Sequence, residues 1–248
     1  MWREYRKIEV DEFFVVGVDT AAGGLDYCAA QFLSVTKRDV PIVYHAKQLA
    51  SEMTPELNRK LVDIYTITGV KPVIAYERNN GGIFELERLA RLNKYNQYTI
   101  YQTKQDTGTI RGMQLSPKLG WSTDVSTRPV MLADLKEAID NKLFAFYDRP
   151  TLNELLSFVV VQTTNSWKAQ AENGMHDDLL MALAIAWQLY QTEVQSYTPK
   201  IKVVNPKPAK KEAKEGYMVI NDRLQYNFDM SKALRETTKT QGKDWKHQ

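Results

Sequence analysis

The first strong hydrophobic pattern along the chain is an apolar run that ends in a single carboxylate. Residues Phe13–Asp19 read FFVVGVD, and β-branched and aromatic side chains of this kind are typical of a buried strand. Glycines at 23 and 24 follow the run and predict a turn. Asp26–Val35 and Pro41–Lys47 have the same strand character, and their short connections predict an antiparallel meander.

The periodicity then changes to that of alternating helices and strands. Apolar residues at helical spacing predict a helix over Thr54–Gly69, with Thr54 as its cap and Pro55 in its first turn. Further strands are expected over Pro72–Glu77, Tyr98–Tyr101 and Leu143–Tyr147, and further helices over Ile83–Leu92, Thr127–Asn141 and His176–Tyr190. Leu152–Val161 is expected to be a helix followed by a strand. Ser166–Gly174 reads as a polar turn. This order predicts an α/β domain with a central mixed sheet of five or more strands, flanked by helices.

Residues 104–122 interrupt the pattern with three glycines among polar and basic side chains, and they predict a protruding β-hairpin insertion or loop. Lys104, Arg111 and Lys118 lie in this segment and are candidates for binding DNA phosphates. Arg128, shortly after it, is a further DNA-binding candidate. An exposed hairpin with ordinary surface charge explains the same residues, so both interpretations stay open.

Charge is distributed unevenly along the chain. Residues 199–248 hold 12 Lys and Arg against 6 Asp and Glu, whereas the rest of the chain is slightly acidic. A basic tail suits nucleic acid or an acidic protein partner, although a solvated tail kept soluble by charge has the same composition. We therefore expect a polar lead-in at 1–12, a folded domain at 13–195, and a basic Lys/Pro-rich linker and C-terminal tail at 196–248. Within the tail, Tyr217–Leu234 forms a small element or folds on a partner.

Several classes of protein are excluded or disfavoured by the composition. No apolar run reaches the ~20 residues of a membrane-spanning helix, and the N-terminal MWREYRKIEVDE is too charged for a signal peptide. A single cysteine, Cys28, excludes a disulfide framework and a multi-cysteine zinc site, and a reducing, cytoplasmic setting fits. The chain has no G-x-x-x-x-G-K-[ST] phosphate loop, no G-x-G-x-x-G fingerprint and no G-x-S-x-G elbow.

Four carboxylates stand where apolar elements end or begin. Asp19 ends the first strand, Glu77 ends the strand VIAYE, and Asp177 and Asp178 open the apolar helix HDDLLMALAIAW. A buried strand that delivers a charge to its tip is costly unless that charge is paired or bound to a metal. Carboxylates are the ligands that Mg²⁺ and Mn²⁺ prefer, and two such ions support phosphodiester hydrolysis. Each acid also has an ordinary explanation as a turn or helix cap.

Other polar residues near these acids carry weaker signals. His176 directly precedes the acid pair and is a catalytic candidate that orients water or the leaving group, or else caps the helix. Asp26 and Glu154 are further acids near the ends of expected elements, and Asp124 and Asp148 have the character of turn residues. With 3 histidines in the chain, a histidine-dominated metal site is disfavoured.

At these residues the chain resembles the nuclease domain of the large terminase subunit of tailed bacteriophages. The matching segments are GVDTAAGGLDY at 17–27, YERNNGG at 76–82, GW-x-T at 120–123 and HDDLLMALAIAW at 176–187. Each segment is short, but together they follow the family's order and spacing over most of residues 13–190, and jointly they are specific.

The resemblance implies a ribonuclease H-like fold and an endonuclease that cuts concatemeric double-stranded viral DNA at the start and end of head filling. It implies that Asp19, Glu77 and Asp178 hold two Mg²⁺ or Mn²⁺ ions, with Asp177 as an auxiliary ligand. Residues 104–122 correspond to the family's β-hairpin insertion. Weak sequence preference is expected, with affinity for DNA that falls as salt rises.

The chain departs from full-length family members because it lacks the motifs of the packaging ATPase, so an excised nuclease domain is expected. The resemblance implies double-stranded DNA, the terminase ATPase domain, the small terminase subunit and the portal or procapsid as partners, in the host bacterial cytoplasm and without a membrane. Docking to the portal or procapsid is the role that family tails suggest for 196–248.

Three other functions stay open on the residues alone. A Holliday-junction resolvase or transposase-like nuclease has the same fold and prefers branched DNA. An actin-like kinase fragment would use the glycine turn near Asp19 for phosphate, but a complete kinase needs about twice this length. A non-catalytic DNA- or portal-binding module would use the acids to hold a structural ion.

Overall fold

The computed structural model describes most of the chain, which divides into two compact units, Met1–Pro199 and Lys200–Gln248. The described residues are 1–21, 27–79, 81–103, 118–162, 167–171, 176–194, 216–220 and 223–228.

The first unit contains both strands and helices. Its strands are β1 (Trp2–Glu4), β2 (Phe14–Asp19), β3 (Cys28–Ser34), β4 (Asp39–Ala46), β5 (Val73–Tyr76), β6 (Thr99–Ile100), β7 (Gln102–Thr103), β8 (Lys118–Leu119), β9 (Ala145–Phe146), β10 (Phe158–Gln162) and β11 (Trp167–Ala171). Its helices are α1 (Ala50–Thr68), α2 (Gly82–Leu92), α3 (Thr127–Asp140), α4 (Arg149–Ser157) and α5 (Asp178–Glu193). Among the described helices, none combines the length and apolar character that crossing a lipid bilayer requires.

The second unit contains a hairpin within the basic tail. Its strands β12 (Gly216–Ile220) and β13 (Arg223–Phe228) pair antiparallel, with an irregular register between Met218 and Val219. The hairpin lies in the segment for which a small element is expected.

In the described part of the first unit, seven strands form the central sheet. Their order is β1-β4-β3-β2-β5-β6, and β9 also pairs with β4. The strands β2, β3 and β4 form an antiparallel meander, whereas β2, β5 and β6 run parallel. The expected mixed sheet of five or more strands, flanked by helices, is confirmed.

Both faces of the sheet are buried, which explains the continuous apolar run of β2. Phe14, Val16 and Val18 belong to a cluster with α1 and α2 on one face. Val15 belongs to a second cluster, with α3 and α5, on the other face. A strand between two helical layers needs apolar side chains at every position, because successive side chains point to opposite faces.

The helix α5 crosses β2 at a position where the strand has no side chain. A Cβ atom at Gly17 would lie 2.1 Å from Ala182 O and 2.4 Å from Ala186 N. These are backbone atoms of α5, so only glycine allows the helix and the strand to approach so closely. Because Asp19 ends β2 and Asp178 begins α5, this contact sets the spacing between the two acids.

The helix α1 begins at Ala50 rather than at Thr54, so the expected start is wrong. Thr54 does not cap the helix, since its Oγ1 donates to Ala50 O at 3.0 Å. Pro55 lies inside the helix, where it has no amide hydrogen to give to the Ser51 carbonyl. That carbonyl accepts a hydrogen bond from Arg88 Nη1 at 2.6 Å, which replaces the missing partner.

The N-terminal segment, expected as a polar lead-in, is tied to the sheet by two arginines. It contributes β1, which pairs antiparallel with β4. Arg3 Nε and Nη2 donate to the Asp148 carboxylate at 2.5 and 3.1 Å. Arg6 bridges the carboxylates of Asp39 and Glu12, with four nitrogen–oxygen distances between 2.6 and 2.9 Å. Bidentate arginine–carboxylate pairs of this kind hold a segment in one orientation.

The segment Ser166–Gly174 is not the polar turn that was expected. It contains β11, which pairs antiparallel with β10 over five residue pairs. The expected hairpin insertion is described at its base, where β7 pairs with β8. Residues 104–117, which would form the rest of it, lie outside the described residues.

Candidate functional site

Two of the four expected acids lie at the carboxyl ends of neighbouring strands in the central sheet. Asp19 is the last residue of β2, and Glu77 directly follows β5, which pairs with β2 in parallel. The Glu77 amide donates to Val18 O at 2.8 Å, so the pairing extends to the strand ends. The carboxyl ends of adjacent parallel strands therefore bring both side chains to the same place, where each is more than nine-tenths buried.

The turn after Glu77 is held by the segment that follows β8. Asn79 Nδ2 donates to Glu77 Oε1 at 3.2 Å and to Thr123 O at 2.8 Å. A Cβ atom at Gly82 would lie 1.8 Å from Glu77 O, so the chain can enter α2 this closely only with glycine there. The Asn79 side chain therefore holds the Glu77 carboxylate, and the close approach of Gly82 holds the Glu77 backbone.

The other two acids lie at the N-terminus of α5. Asp177 is the N-cap residue and Asp178 is the first residue of the helix. Arg128 Nη2, from the first turn of α3, donates to Asp177 Oδ2 at 2.6 Å. His176 Nδ1 lies 3.6 Å from Asp178 Oδ2. The two acids thus have different neighbours, a permanent cation for Asp177 and an imidazole for Asp178.

An aromatic contact supports His176. The Tyr27 ring stacks on His45 with ring centroids 4.4 Å apart, and it meets His176 edge-on at 5.0 Å. Burial lowers the pKa of His45 to about 4, so the ring beneath Tyr27 is neutral at physiological pH.

The four acids share one open cavity of about 470 Å³. In the described part of the chain its lining residues are Asp19, Thr20, Ala21, Glu77, Asn79, Arg128, His176, Asp177, Asp178 and Met181. Four carboxylates therefore face one arginine across a polar, water-accessible space.

The crowding of carboxylates changes the protonation of Asp19. Burial raises its pKa well above the usual range of an aspartate, and the charge of Glu77, a hydrogen bond with Glu77, and the charges of Asp178 and Asp177 raise it further. The direction of this shift reflects the carboxylates gathered around Asp19, and a bound cation would favour its ionised form. Negative charge is therefore in excess around the cavity.

The carboxylates are not arranged as a closed ligand cage. Among the residues that the structure describes, no three His, Cys, Asp or Glu side chains are grouped so that they could hold a metal ion. Asp177 is turned toward Arg128, whose Nη2 donates to its Oδ2. The donor set itself consists of carboxylate oxygens, the ligand type that suits Mg²⁺ and Mn²⁺.

The residues singled out from the sequence fall into three groups. Those that line the cavity together are Asp19, Glu77, His176, Asp177, Asp178 and Arg128. Lys118 lies in β8 with an exposed side chain and is not among the lining residues that the structure describes. Lys104 and Arg111 lie outside the described residues.

Asn79, Tyr27 and Glu154 contribute to the site without having been assigned to it from the sequence. Asparagine is so common in turns that Asn79 carries no separate signal. Glu154 does carry one, because an acid inside the apolar segment LNELLSF is costly to bury without a partner. Its Oε2 accepts the Leu180 amide at 2.9 Å, and burial, with Asp178 and Asp177 nearby, raises its pKa to about 8.

No protein-family model matches the chain. Among solved structures, it is similar to the large terminase nuclease of the thermophilic phage G20c with bound cobalt, at 18% identity and a TM-score of 0.53, over 75% of this chain and 84% of that one. For the same nuclease with bound magnesium the identity is 17%, with the same TM-score and coverage. The large terminase nuclease domain of Thermus phage P74-26 gives 17% identity and a TM-score of 0.53, over 76% of this chain and 84% of that one.

Identity at this level shows a shared fold and not a shared activity. The ribonuclease H-like fold implied by the sequence resemblance is confirmed: this chain has the fold of large-terminase nuclease domains.

Proposed function

We propose that this chain is a divalent-metal-dependent endonuclease that cuts concatemeric double-stranded DNA during phage genome packaging. The observation that carries the proposal is the convergence of four carboxylates on one cavity, at the ends of two parallel strands and the start of α5. The structural neighbours with the same fold are nucleases of large terminases, and they support this reaction class.

Asp19, Glu77 and Asp178 are the residues that would hold Mg²⁺ or Mn²⁺, with Asp177 as an auxiliary ligand. Their oxygen atoms fit hard divalent cations, and the excess negative charge around Asp19 favours a cation in the cavity. The neighbouring phage G20c nuclease has structures with bound magnesium and with bound cobalt. Two bound ions would activate the attacking water and stabilise the leaving oxygen of the phosphodiester.

The remaining cavity residues act on the substrate rather than on the ions. Arg128 holds Asp177 at 2.6 Å and lies beside the acids, where its guanidinium is placed to bind a DNA phosphate as well. The side chain of His176 is about half exposed at the cavity edge, where it can orient water or give a proton to the leaving group. Asn79 keeps the Glu77 carboxylate directed toward the cavity.

The duplex would be bound mainly through phosphates by Arg128 and by Lys104, Arg111 and Lys118 of the hairpin region. In this proposal residues 13–195 are the nuclease domain. The basic tail at 196–248 docks to the portal or procapsid, and the terminase ATPase domain and small subunit are the other partners. The protein would act in the cytoplasm of the host bacterium.

Cleavage of matched DNA substrates tests this function. A linear duplex and a four-way junction of the same sequence would be incubated with the purified chain in Mn²⁺ and in EDTA. We expect metal-dependent cutting of the linear duplex at a rate at least equal to that on the junction. Cutting of the junction alone would indicate a junction resolvase instead of a packaging nuclease. Binding of both DNAs without cutting would indicate a non-catalytic DNA-binding module.

A further inference from the structure

The first turn of α5 must direct two carboxylates into the cavity while its own amide groups are hydrogen-bonded. The first amides of a helix have no partner within the helix, and the N-cap side chain usually accepts one of them. Asp177 is the N-cap residue, but it makes no capping hydrogen bond within the described part of the chain. Its Oδ2 accepts a hydrogen bond from Arg128. The acceptor for this turn therefore has to come from another element.

Glu154 in α4 provides that acceptor. Its Oε2 accepts the Leu180 amide at 2.9 Å, and the residue is 8% exposed. Leu180 is the third residue of α5, and the amide at this position is one that an N-cap side chain ordinarily bonds. Glu154 is not among the cavity-lining residues that the structure describes, so it supports the acids from behind the cavity.

The helix that carries Glu154 is itself tied to the sheet and to α5. Asp148 Oδ2 accepts from the Thr151 amide at 2.9 Å and from Thr151 Oγ1 at 2.8 Å, which caps α4. Gln31 Nε2, in β3, donates to Thr151 Oγ1 at 2.8 Å and to Leu179 O at 3.3 Å. Because these groups are buried, their hydrogen bonds hold β3, α4 and the first turn of α5 in one arrangement.

We propose that Glu154 is a positioning residue for the acid pair: it caps α5 in place of Asp177, so that Asp177 and Asp178 both face the cavity. Without this acceptor, the Asp177 carboxylate is the nearest group on α5 that can turn back to bond its own helix. That turn would break the contact with Arg128 and change the direction of both acids. The hydrogen bond between the Leu180 amide and Glu154 is present without a metal ion, so the cap itself does not depend on the proposed function. Only the effect of the cap on metal binding rests on the proposed function.

Two substitutions at one position separate the acceptor atom from the bulk of the side chain. Glu154→Gln keeps an acceptor oxygen, whereas Glu154→Met keeps the volume and removes the acceptor. Gln188→Ala is the matched control, because Gln188 Nε2 donates to Asp134 Oδ2 at 2.8 Å and ties α5 to α3 away from the acids. All variants would be made in the full chain, with circular dichroism and thermal unfolding to show that they fold.

Amide hydrogen exchange of Leu180 in the metal-free chain is the first readout. We expect a protected Leu180 amide in the wild type, in Glu154→Gln and in Gln188→Ala, and exchange at least about tenfold faster in Glu154→Met. Calorimetric titration with Mn²⁺ is the second readout. Loss of a group that supports a metal ligand typically weakens metal binding about 10- to 100-fold, so we expect that loss in Glu154→Met alone.

Several outcomes would overturn the proposal. A Leu180 amide that exchanges as fast as an exposed amide in the wild type would show that no cap exists. Equal protection in Glu154→Met, an equal defect in Glu154→Gln, or an equal loss in Gln188→Ala would each exclude the acceptor role. If no variant and no wild type binds Mn²⁺, the proposed function fails, and Leu180 exchange alone decides on the cap. If Glu154→Met does not fold, the wild type and Glu154→Gln decide the question. A Leu180 amide protected from exchange in both proteins supports the cap, and a Leu180 amide that is unprotected in either protein overturns the proposal.

Discussion

Replacing Gly17 by alanine should separate the two halves of the acid site. The new Cβ atom would lie 2.1 Å from Ala182 O and 2.4 Å from Ala186 N, whereas ordinary contacts begin near 3.4 Å. Both partners are backbone atoms of α5, so no side-chain rotation can relieve the overlap. The helix has to move away from β2 by about 1 Å, and it carries Asp178 with it.

The magnitude follows from the kind of atom that is in the way. Overpacking a close-packed core typically costs about 1–3 kcal/mol, and a rigid backbone partner places this site at about 3 kcal/mol. Alanine has less conformational freedom than glycine in the unfolded chain, which offsets only about 0.5–1 kcal/mol of the lost free energy of unfolding. A net loss of about 2 kcal/mol lowers Tm by about 4–8 °C for a domain of this size. A 1 Å displacement of the acids should lower cleavage about 100-fold.

Thermal unfolding and plasmid cleavage, measured side by side, test this expectation. Gly69→Ala is the control, because a Cβ atom there meets nothing within 4 Å and the cost comes only from its φ of +71°. That backbone cost is about 1–2 kcal/mol, and Gly69 ends α1 away from the acids, so activity should persist. A Gly17→Ala protein that unfolds and cuts like the wild type would show that the close contact between β2 and α5 does not set the spacing of the acids.

Three further perturbations have defined outcomes. Asp19→Asn should abolish cleavage and yet raise the Tm of the metal-free chain, since it removes a buried carboxyl group whose ionised form burial and the neighbouring acids disfavour; an unchanged or lower Tm would contradict this. Arg128→Ala should weaken DNA binding and lower the slope of log affinity against log salt by about one, and an unchanged slope would exclude a phosphate contact. Burial alone would raise the pKa of Asp148, but hydrogen bonds from Arg3, Tyr5 and Thr151 outweigh it and lower that pKa below 3.8. The ionised Asp148 carboxylate therefore stabilises the folded chain above pH 3.8, and this contribution is lost as pH falls through its lowered pKa in the folded state. Urea unfolding should show that Arg3→Ala lowers the free energy of unfolding by about 1.5–3 kcal/mol at pH 7 and by less at pH 3. A loss of the same size at both pH values would contradict the pairing of Arg3 with Asp148.

The core strands could be predicted because their side chains carry a direct signal of burial. The run at 13–19 is apolar at every position since helices cover both faces of β2, and the structure begins that strand one residue later. Burial of the strand also explains why an acid at its end stood out. The same reasoning located Glu77 at the end of β5 and the acid pair at the start of α5.

The elements that sequence patterns missed depend on partners far away in the chain. The helix α1 extends back to Ala50, and the carbonyl that Pro55 leaves without an amide is bonded by Arg88, 37 residues beyond Ser51. The strand β1 lies at the sheet edge and is held by arginine–carboxylate pairs, so its sequence looks polar. The strand β11 is short, although its alternation of Trp167 and Ala169 with polar residues is a usable strand signal.

Within the site, the acids could be predicted but not their division of roles. Arg128 and Asp177 are 49 residues apart, and no local pattern connects them. The same holds for the Glu154 contact with the Leu180 amide, 26 residues away. Such contacts depend on the packing of α3 and α4 against α5, which only the folded chain defines.

Conversion of supercoiled plasmid by the purified chain, in Mg²⁺, in Mn²⁺ and in EDTA, shows whether the cavity acids support metal-dependent cleavage of DNA. Asp178→Asn would be run beside Asp140→Asn, since Asp140 is an exposed acid of α3 that pairs with Lys136 outside the cavity. We expect metal-dependent nicking and linearisation by the wild type and by Asp140→Asn, and none by Asp178→Asn. Cutting by a folded Asp178→Asn protein at the wild-type rate would show that Asp178 is not a metal ligand, and wild-type cutting that persists in EDTA would show that the cleavage does not depend on a metal ion.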